Sequence, residues 1–484
     1  MNHRMIFYTL GQILKLEAAL LLLPLVVSLI YHENQFLPFL IPSVSLVILG
    51  LILTFKKPVK QNFYAKEGFV LVGLSWIVLS LFGCLPFVIS GSIPNFINAL
   101  FETISGFTTT GATILDGEGI EGLTKGMAFW RSFTHWIGGM GVLVFVLAIL
   151  PSADGKSIHI LRAESPGPQV GKLVSKIRIT ARILYLIYIA ISILEIIFLV
   201  CGEMTPYEAI VYTFSTAGTG GFATKGASLG AYSAYSQIVV GIFMLIFGTN
   251  FNIFFLLLLG NIKSVLKCEE LRWYLSIVVL STVVITLNVF YSYDRITPIG
   301  TTIRDAFFTV SSIMTTTGFC TANFDLWPAL SKLIILCLMV VGAMAGSTGG
   351  GLKVSRITIL FKSFRREIRR LIHPNSVEAI RVDGKIVDES VVKGVNNYLV
   401  AYIFIMMFGT LLVSIDGFSV VTNISAMAAC LNNVGPGLDV VGPIGNYAGF
   451  SWFSKIVLSM SMLIGRLEIY PILMLFNRHT YRVN

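Results

Sequence analysis

Thr108-Thr109-Thr110-Gly111, Ala217-Gly218-Thr219-Gly220, Thr315-Thr316-Thr317-Gly318 and Asn432-Asn433-Val434-Gly435 are four short, polar, glycine-bearing segments in an otherwise apolar chain. Their closing glycines, Gly111, Gly220, Gly318 and Gly435, lie 109, 98 and 117 residues apart. Such an interval holds two membrane crossings and a loop, so each segment reads as the close of one internal repeat. A cation that sheds its hydration needs fixed oxygens in its place, and backbone carbonyls supply them without a full negative charge that would trap it. Glycine permits the dihedrals that turn successive carbonyls inward, and threonine adds a hydroxyl oxygen. Four such loops around one axis have the chemistry of an ion selectivity filter built within a single chain. The same residues also suit close helix packing; fourfold repetition is what favours the filter.

The flanking sequence agrees. Of 484 residues, 55% are apolar and 12% charged, and the mean hydropathy is +0.81, which places the chain in a bilayer rather than among multidomain soluble proteins. Two hydrophobic helices come first, near 8–30 and 37–55; the first reads as a retained helix, since no small-residue cleavage site follows it. After a basic loop at 56–67, one unit repeats four times. Its first helices lie near 68–91, 182–202, 273–292 and 396–416, and its second helices near 127–150, 235–262, 331–360 and 451–476. Between them lie short segments near 94–108, 205–217, 301–315 and 419–432. These are too short and too polar to cross a hydrocarbon layer about 30 Å thick, so each enters and leaves by the same face. Non-helical backbone is tolerated at that depth where protein or a water-filled pathway shelters it. The expected fold is an all-α membrane protein: four pseudo-symmetric helix–pore loop–helix repeats around one ion pathway, plus two N-terminal transmembrane helices. The divisions fall at 1–67 (helix pair), 68–155, 156–268, 269–375 and 376–484 (repeats one to four), with ten spanning helices and no soluble domain.

Charge sets the orientation. The net charge is +10, but the cations cluster at Lys56, Lys57, Lys60 and Lys66 and in the stretches 156–182, 263–272 and 353–393, all on one side of this topology. Seven fall on the other: Lys125, Arg131, Lys225, Arg295, Arg304, Lys332 and Lys455. The positive-inside rule puts both termini in the cytoplasm. No basic surface interleaved with aromatics points to nucleic acid. Asp116, Glu118, Glu121, Asp325 and Asp439 lie near the outer mouth, where they can concentrate cations or simply be solvated. The six cysteines form no CxxC pair and the six histidines show no ligand spacing, so neither a disulfide framework nor a transition-metal site is indicated. No paired-carboxylate or His–Asp constellation indicates an enzyme.

Below the loops, Gly342-Ala343-Met344-Ala345-Gly346-Ser347-Thr348-Gly349-Gly350-Gly351-Leu352-Lys353 interrupts the second helix of the third repeat. So much glycine disfavours a continuous helix, and the break is expected beneath the filter. No Ser or Thr follows Lys353, so the run is not a phosphate-binding loop, and Gly138-Gly139-Met140-Gly141 follows no strand that would make it a dinucleotide site. Arg466 and Glu468 sit within the last apolar stretch, where ionisable residues are costly and tend to be functional. Arg466 can hold the glycine-rich run through its carbonyls, act as an electrostatic barrier, or form an internal pair with Glu468; two residues apart on a helix, the two do not face each other. The basic, amphipathic stretch 357–372 suits either an anionic lipid surface or a docking site for a cytosolic partner.

The four loops together with the Gly342–Lys353 run resemble the Trk/Ktr/HKT superfamily of potassium transporters. The two extra N-terminal helices resemble its TrkH/TrkG branch rather than the shorter KtrB branch. The resemblance covers essentially the whole chain and implies a membrane subunit of a bacterial Trk potassium uptake system in the plasma (inner) membrane. It implies potassium-binding filter residues at Thr109, Thr110, Gly111, Gly218, Thr219, Gly220, Thr316, Thr317, Gly318, Asn433, Val434 and Gly435. It further implies a gate at Gly346, Ser347, Thr348, Gly349, Gly350, Gly351 and Arg466. Sodium-preferring plant relatives carry serine at the first filter position, where this chain has Gly111. The fourth loop departs from the threonine-rich pattern and lacks its hydroxyls. A homodimer is implied, as is regulation by a cytosolic TrkA-like ring of RCK domains. Nucleotide (NAD or ATP/ADP) is expected on that partner, with no cofactor in this chain and potassium as the substrate. A sodium-permeable or sodium-coupled cation or solute transporter is the alternative; it calls for inverted repeats, whereas these run in one orientation. Channel against symport stays open.

Overall fold

A computed structural model describes residues 3–58, 65–141, 177–292, 298–375 and 378–477. The N-terminal part is α1 (His3–Leu20), α2 (Leu22–Ile30) and α3 (Leu37–Thr54). Glycine lets α1 and α3 approach closely: a β-carbon on Gly11 would lie 3.1 Å from the Gly50 carbonyl oxygen, and one on Gly50 2.9 Å from that of Gly11. Small residues bring apolar helices together in this way within lipid.

Four units follow. Repeat one has α4 (Ala65–Gly83) with a short continuation α5 (Leu85–Ile89), the pore helix α6 (Phe96–Phe107) and α7 (Lys125–Gly139). Repeat two has α8 (Ile177–Val200), the pore helix α9 (Pro206–Gly218), and α10 (Ala234–Phe247) with α11 (Phe251–Leu258). Repeat three has α12 (Glu269–Ser292), the pore helix α13 (Ile299–Met314), then α14 (Ala329–Val341) and α15 (Val354–Ile372). A two-stranded hairpin of β1 (Arg381–Val382) and β2 (Lys385–Ile386), with Arg381 opposite Ile386, precedes repeat four. That repeat has α16 (Glu389–Val413), the pore helix α17 (Val420–Leu431), and α18 (Trp452–Leu467) with α19 (Ile469–Phe476). The all-α, fourfold plan expected from the sequence is the one observed.

Local sequence explains where the inner helices start. Asn95, Thr205 and Ser419 cap α6, α9 and α17 through their side chains, Thr205 in a reciprocal capping box with Glu208. Thr124, Ser233 and Ser451 do the same for α7, α10 and α18. Each satisfies an amide that the first turn leaves without a partner. Repeat three uses Pro298 and Pro328 at both places instead, a residue that loses nothing where no helical N–H bond is due.

The pore helices occupy the interior, and nearly every residue of their C-terminal halves is buried. The first helices carry large apolar side chains on the perimeter, such as Leu280, 66% exposed, and Phe404, 71% exposed. An apolar belt this extensive is at home against hydrocarbon.

Six helices among the described residues are long and apolar enough to cross a membrane: His3–Ile30, Leu37–Thr54, Glu67–Ile89, Ala181–Val200, Glu269–Ser292 and Glu389–Asp416. Ten were expected. The difference lies in the second helices, which in repeats two, three and four are interrupted where a continuous span was expected. α10 and α11 meet at 90° across Gly248–Asn250, α14 stops at Gly342, and Glu468, at φ 66°, separates α18 from α19. α7 ends at Gly139; the remainder of its expected span, 142–150, lies outside the described residues, as do the basic stretch 156–176 and the tail 478–484.

Candidate ion pathway

The four loops close a ring. A β-carbon on Gly111 would overlap the carbonyl oxygen of Gly220; one on Gly221, that of Thr317; one on Gly318, that of Val434; and one on Gly435, that of Thr110. Each loop thus abuts the next and the fourth returns to the first. The four contacting glycines have φ of 79°, 78°, 85° and 94°, and the residues two positions earlier, Thr109, Thr219, Thr316 and Asn433, have φ of 55°, 55°, 59° and 56°. One backbone path is therefore repeated four times. The same hydrogen bond holds it each time: the amides of Thr110, Gly220, Thr317 and Val434 donate to the carbonyls of Ser105, Ser215, Ser312 and Ala429 at 2.8–2.9 Å. The pore helices end at this ring, so the partially negative ends of four helix dipoles converge on it.

This geometry corrects the register of the second loop. The residue equivalent to Gly111, Gly318 and Gly435 is Gly221, and Gly220 corresponds to Thr110, Thr317 and Val434. Gly218 is the last residue of α9 and stands outside the ring; a β-carbon there would strike the His135 carbonyl of α7. Gly220 is glycine for a separate reason, because the His135 ring fills the space its β-carbon would need. His135 is held there by a 2.7 Å hydrogen bond between Nδ1 and the Gly106 carbonyl and by packing on Phe222. Two adjacent glycines with different duties made the sequence spacing ambiguous by one.

Side chains at the ring divide the work. The hydroxyls of Thr110 and Thr317 hydrogen-bond Thr108 and Thr315 at 2.8 Å and brace their own loops. At the position below, Thr109 Oγ1 and Asn433 Oδ1 are buried without a hydrogen-bond partner among the described residues. Asn433 Nδ2 donates to Thr110 Oγ1 and to the Met462 carbonyl, each at 2.9 Å. The fourth loop therefore lacks hydroxyls but keeps an amide oxygen in their place.

The glycine-rich run lies against the underside of the ring. A β-carbon on Gly350 would strike the Asn432 carbonyl, and one on Gly349 would come within 2.8 Å of the Thr315 carbonyl. Gly350 donates its N–H to Thr316 Oγ1 at 2.6 Å. The Ser347 hydroxyl donates to the Met344 carbonyl at 2.6 Å, and the Thr348 hydroxyl to the Phe247 carbonyl at 3.2 Å. Gly346, at φ 74°, packs on Asn250, and its carbonyl accepts from the Phe251 amide at 3.0 Å. Gly351, at φ 78°, crosses Gly342. Lys353 turns its ammonium back onto the Gly349 carbonyl.

Arg466 reaches this run from α18. Nη1 donates to the Thr348 carbonyl at 2.6 Å; Nη2 donates to the Gly139 carbonyl at 2.6 Å and also to that of Gly138. The Arg466–Glu468 pair does not form: Glu468 instead takes Arg356 of α15, at 2.5 and 2.6 Å. Neither Arg356 nor Glu468 stands out alone as a partner, because they are 112 residues apart.

Above the ring, a vestibule is lined by Gly111, Gly221, Gly318 and Gly435 together with Asp116 and Arg131. Set into its wall is a buried ion pair that sequence reasoning missed. Arg131 Nε donates to Glu102 Oε1 at 2.7 Å with both side chains almost fully excluded from solvent. Glu102 accepts from Thr113 Oγ1 at 2.8 Å and from the Ile114 amide at 2.9 Å, and Arg131 reaches the Ala223 carbonyl at 3.2 Å. The pair so ties the chain leaving the first loop to the chain leaving the second. A carboxylate within an apolar pore segment was the available signal. Of the acids expected at the mouth, Asp439 accepts the Ser419 and Thr422 hydroxyls at 2.6 Å, which hold its carboxyl below the usual range. Asp116 accepts from the Gly119 amide at 2.7 Å, and Glu121 from that of Gly226 at 3.0 Å. Glu118 and Asp325 stay near the surface.

Fourfold pore loops sheltered by an apolar, multi-pass helical shell define a membrane transport protein. The comparisons with known proteins make the assignment specific: residues 37–480 match the family model TrkH, described as "Cation transport protein", and the chain belongs to that family. It is 36% identical over 490 residues to the Trk system potassium uptake protein TrkH of Salmonella typhimurium, covering all of both chains. It is 31% identical over 488 residues to TrkG of Escherichia coli K12, covering 99% of each. The crystal structure of the potassium transporter TrkH from Vibrio parahaemolyticus superposes with a TM-score of 0.90 at 33% identity, covering all of both chains. The family is one of transporters, not enzymes.

Proposed function

We propose that this chain carries potassium into the cell through the four-loop ring, which acts as its selectivity filter. The closed cycle of glycine–carbonyl contacts carries this reading: the equivalent carbonyls of Thr110, Gly220, Thr317 and Val434 each abut the next loop, and four helix ends add negative potential there. The relatives named above, two Trk system potassium uptake proteins and a potassium transporter, support potassium as the ion. In this reading the 346–351 run is the gate, held in place by Arg466. The vestibule faces outward and both termini lie in the cytoplasm, with the chain in the plasma (inner) membrane of a bacterium. A homodimer and a cytosolic TrkA-like ring of nucleotide-binding RCK domains, carrying NAD or ATP/ADP, complete the system.

The test is rubidium-86 uptake into proteoliposomes with sodium and lithium as competitors, comparing the parent with Gly318→Ser. Gly318 has φ 85° and its β-carbon would displace the Val434 carbonyl, so the variant loses discrimination against sodium. Equal selectivity in the two proteins contradicts the filter assignment.

A further inference from the structure

The glycine-rich run is a loop with a closed neck. Leu352 and Lys353 donate their amides to the Val340 and Val341 carbonyls at 3.0 Å, and Val354 donates to Ala343 at 3.1 Å. Gly342 and Gly351 cross at the narrowest point, where a β-carbon on either would lie within 2.7 Å of the other's Cα. The chain thus leaves α14, passes beneath the ring and returns to α15 through one constriction.

One side chain from outside the loop grips both strands of this neck. Glu270, in the first turn of α12, accepts from the Ala345 amide at 2.7 Å and from the Ser355 amide at 3.1 Å, both on Oε1. These partners are 75 and 85 residues away in sequence, so Glu270 does not serve its own helix. The adjacent Glu269 pairs with Lys362 of α15 at 2.5 Å. The start of α12 is therefore fastened both to the loop and to the helix that follows it. We propose that Glu270 is a positioning residue of the gate, fixing the neck to α12 so that Gly349–Gly351 stay beneath the ring.

Removing the carboxyl takes away the acceptor of both amides at once. An amide freed at the rim of the membrane can turn to water, so much of each bond's worth is recovered when the loop moves. Loss of Glu270 is accordingly expected to shift the loop by about tenfold in equilibrium, equivalent to about 1.4 kcal/mol. The proposal rests on reading the run as the gate, and its test separates the two.

The experiment measures rubidium-86 flux in proteoliposomes of the full chain, with sodium competition, for the parent, Glu270→Ala, Glu270→Gln and Arg466→Ala. The expected result is roughly tenfold more flux for Glu270→Ala with rubidium-over-sodium preference unchanged, and flux within about twofold of the parent for Glu270→Gln, whose amide oxygen still accepts both N–H groups. A residue that only supported the fold would lower flux and yield rather than raise flux. If Glu270→Ala does not assemble, Ser355→Pro removes one of the two donors in the first turn of α15, where proline is tolerated, and is expected to raise flux by a smaller factor. Parent-level flux in Glu270→Ala beside raised flux in Arg466→Ala overturns the role of Glu270 and leaves the gate standing. Glu270→Gln leaking as much as Glu270→Ala also overturns it. If neither Glu270→Ala nor Arg466→Ala raises flux, the gate reading fails, and the proposal with it.

Discussion

Arg466 offers two physical roles that one pair of substitutions separates. Its guanidinium bonds three carbonyls, but two of them, Gly138 and Gly139, belong to the end of α7. The bond from Nη1 to Thr348, at 2.6 Å, is the one that ties the glycine-rich loop among the described residues. A hydrogen bond to a charged donor contributes about 1.5–3 kcal/mol, so Arg466→Ala should release the loop by a factor of about 10 to 100. The same charge beneath the ring also repels a passing cation, and its removal would raise flux with no movement of the loop. Arg466→Lys distinguishes the two. Lysine keeps the charge but is a compact point donor without the planar fork that spans the loop and α7 at once. If the tether dominates, Arg466→Lys leaks nearly as much as Arg466→Ala; if the barrier dominates, it behaves as the parent. The assay is rubidium-86 flux into proteoliposomes of the chain without any partner, with thermal unfolding to confirm that each variant is folded. Parent-level flux in a folded Arg466→Ala protein refutes both roles.

Three further outcomes follow from the same geometry. Gly221→Ala places a β-carbon at φ 78° against the Thr317 carbonyl; the left-handed backbone alone costs about 1–2 kcal/mol, and the variant should lose rubidium-over-sodium preference, whereas retained preference would return the second filter glycine to Gly220. Arg131→Ala leaves Glu102 charged and buried, at a cost of about 3–5 kcal/mol, which should appear as a lower melting temperature; the double variant Glu102→Gln/Arg131→Met should melt higher than Arg131→Ala if the pair is coupled as drawn. Asp439 has a folded pKa below its ordinary value because Ser419 and Thr422 donate to it, so its contribution is complete above about pH 4 and disappears as pH falls through the folded value; Asp439→Asn should flatten that acid-side loss in a thermal melt, and an unchanged slope contradicts the assignment.

The ring was legible in the sequence because its chemistry is local. Thr316-Thr317-Gly318 states its backbone path in three residues, and repetition turns a weak motif into a strong one. The one-residue error at Gly220–Gly221 arose where a local signal was overlaid by a tertiary one: the His135 ring, contributed by α7, demands glycine at 220. The helix breaks were legible in proportion to their glycine content. Ten consecutive residues at 342–351 contain five glycines and announced themselves. Gly248-Thr249-Asn250 and the single residue Glu468 produce equally real breaks with almost no compositional trace. The Glu102–Arg131 and Arg356–Glu468 pairs were invisible as pairs, since residues 29 and 112 positions apart meet only through the fold.

Those helix breaks also explain how a chain with four similar repeats can hold one unequal loop on its axis. A helix that ends leaves its last carbonyls without amide partners. The end of α10 gives its Phe247 and Gly248 carbonyls to Thr348 and Met344 of the loop. The end of α7 gives the Gly138 and Gly139 carbonyls to Arg466, and Arg466, from the end of α18, donates from Nη1 to the loop. The third repeat supplies Thr316 Oγ1 to Gly350. All four repeats thus converge on one loop, three of them through helix ends. A helix continuing unbroken past Phe247 in repeat two would have spent those carbonyls on its own ladder, and the loop would have lost these acceptors. Fourfold symmetry in the ring is therefore compatible with a single loop beneath it: the ring uses backbone that every repeat can copy, and the loop uses what the broken helices leave unpaired.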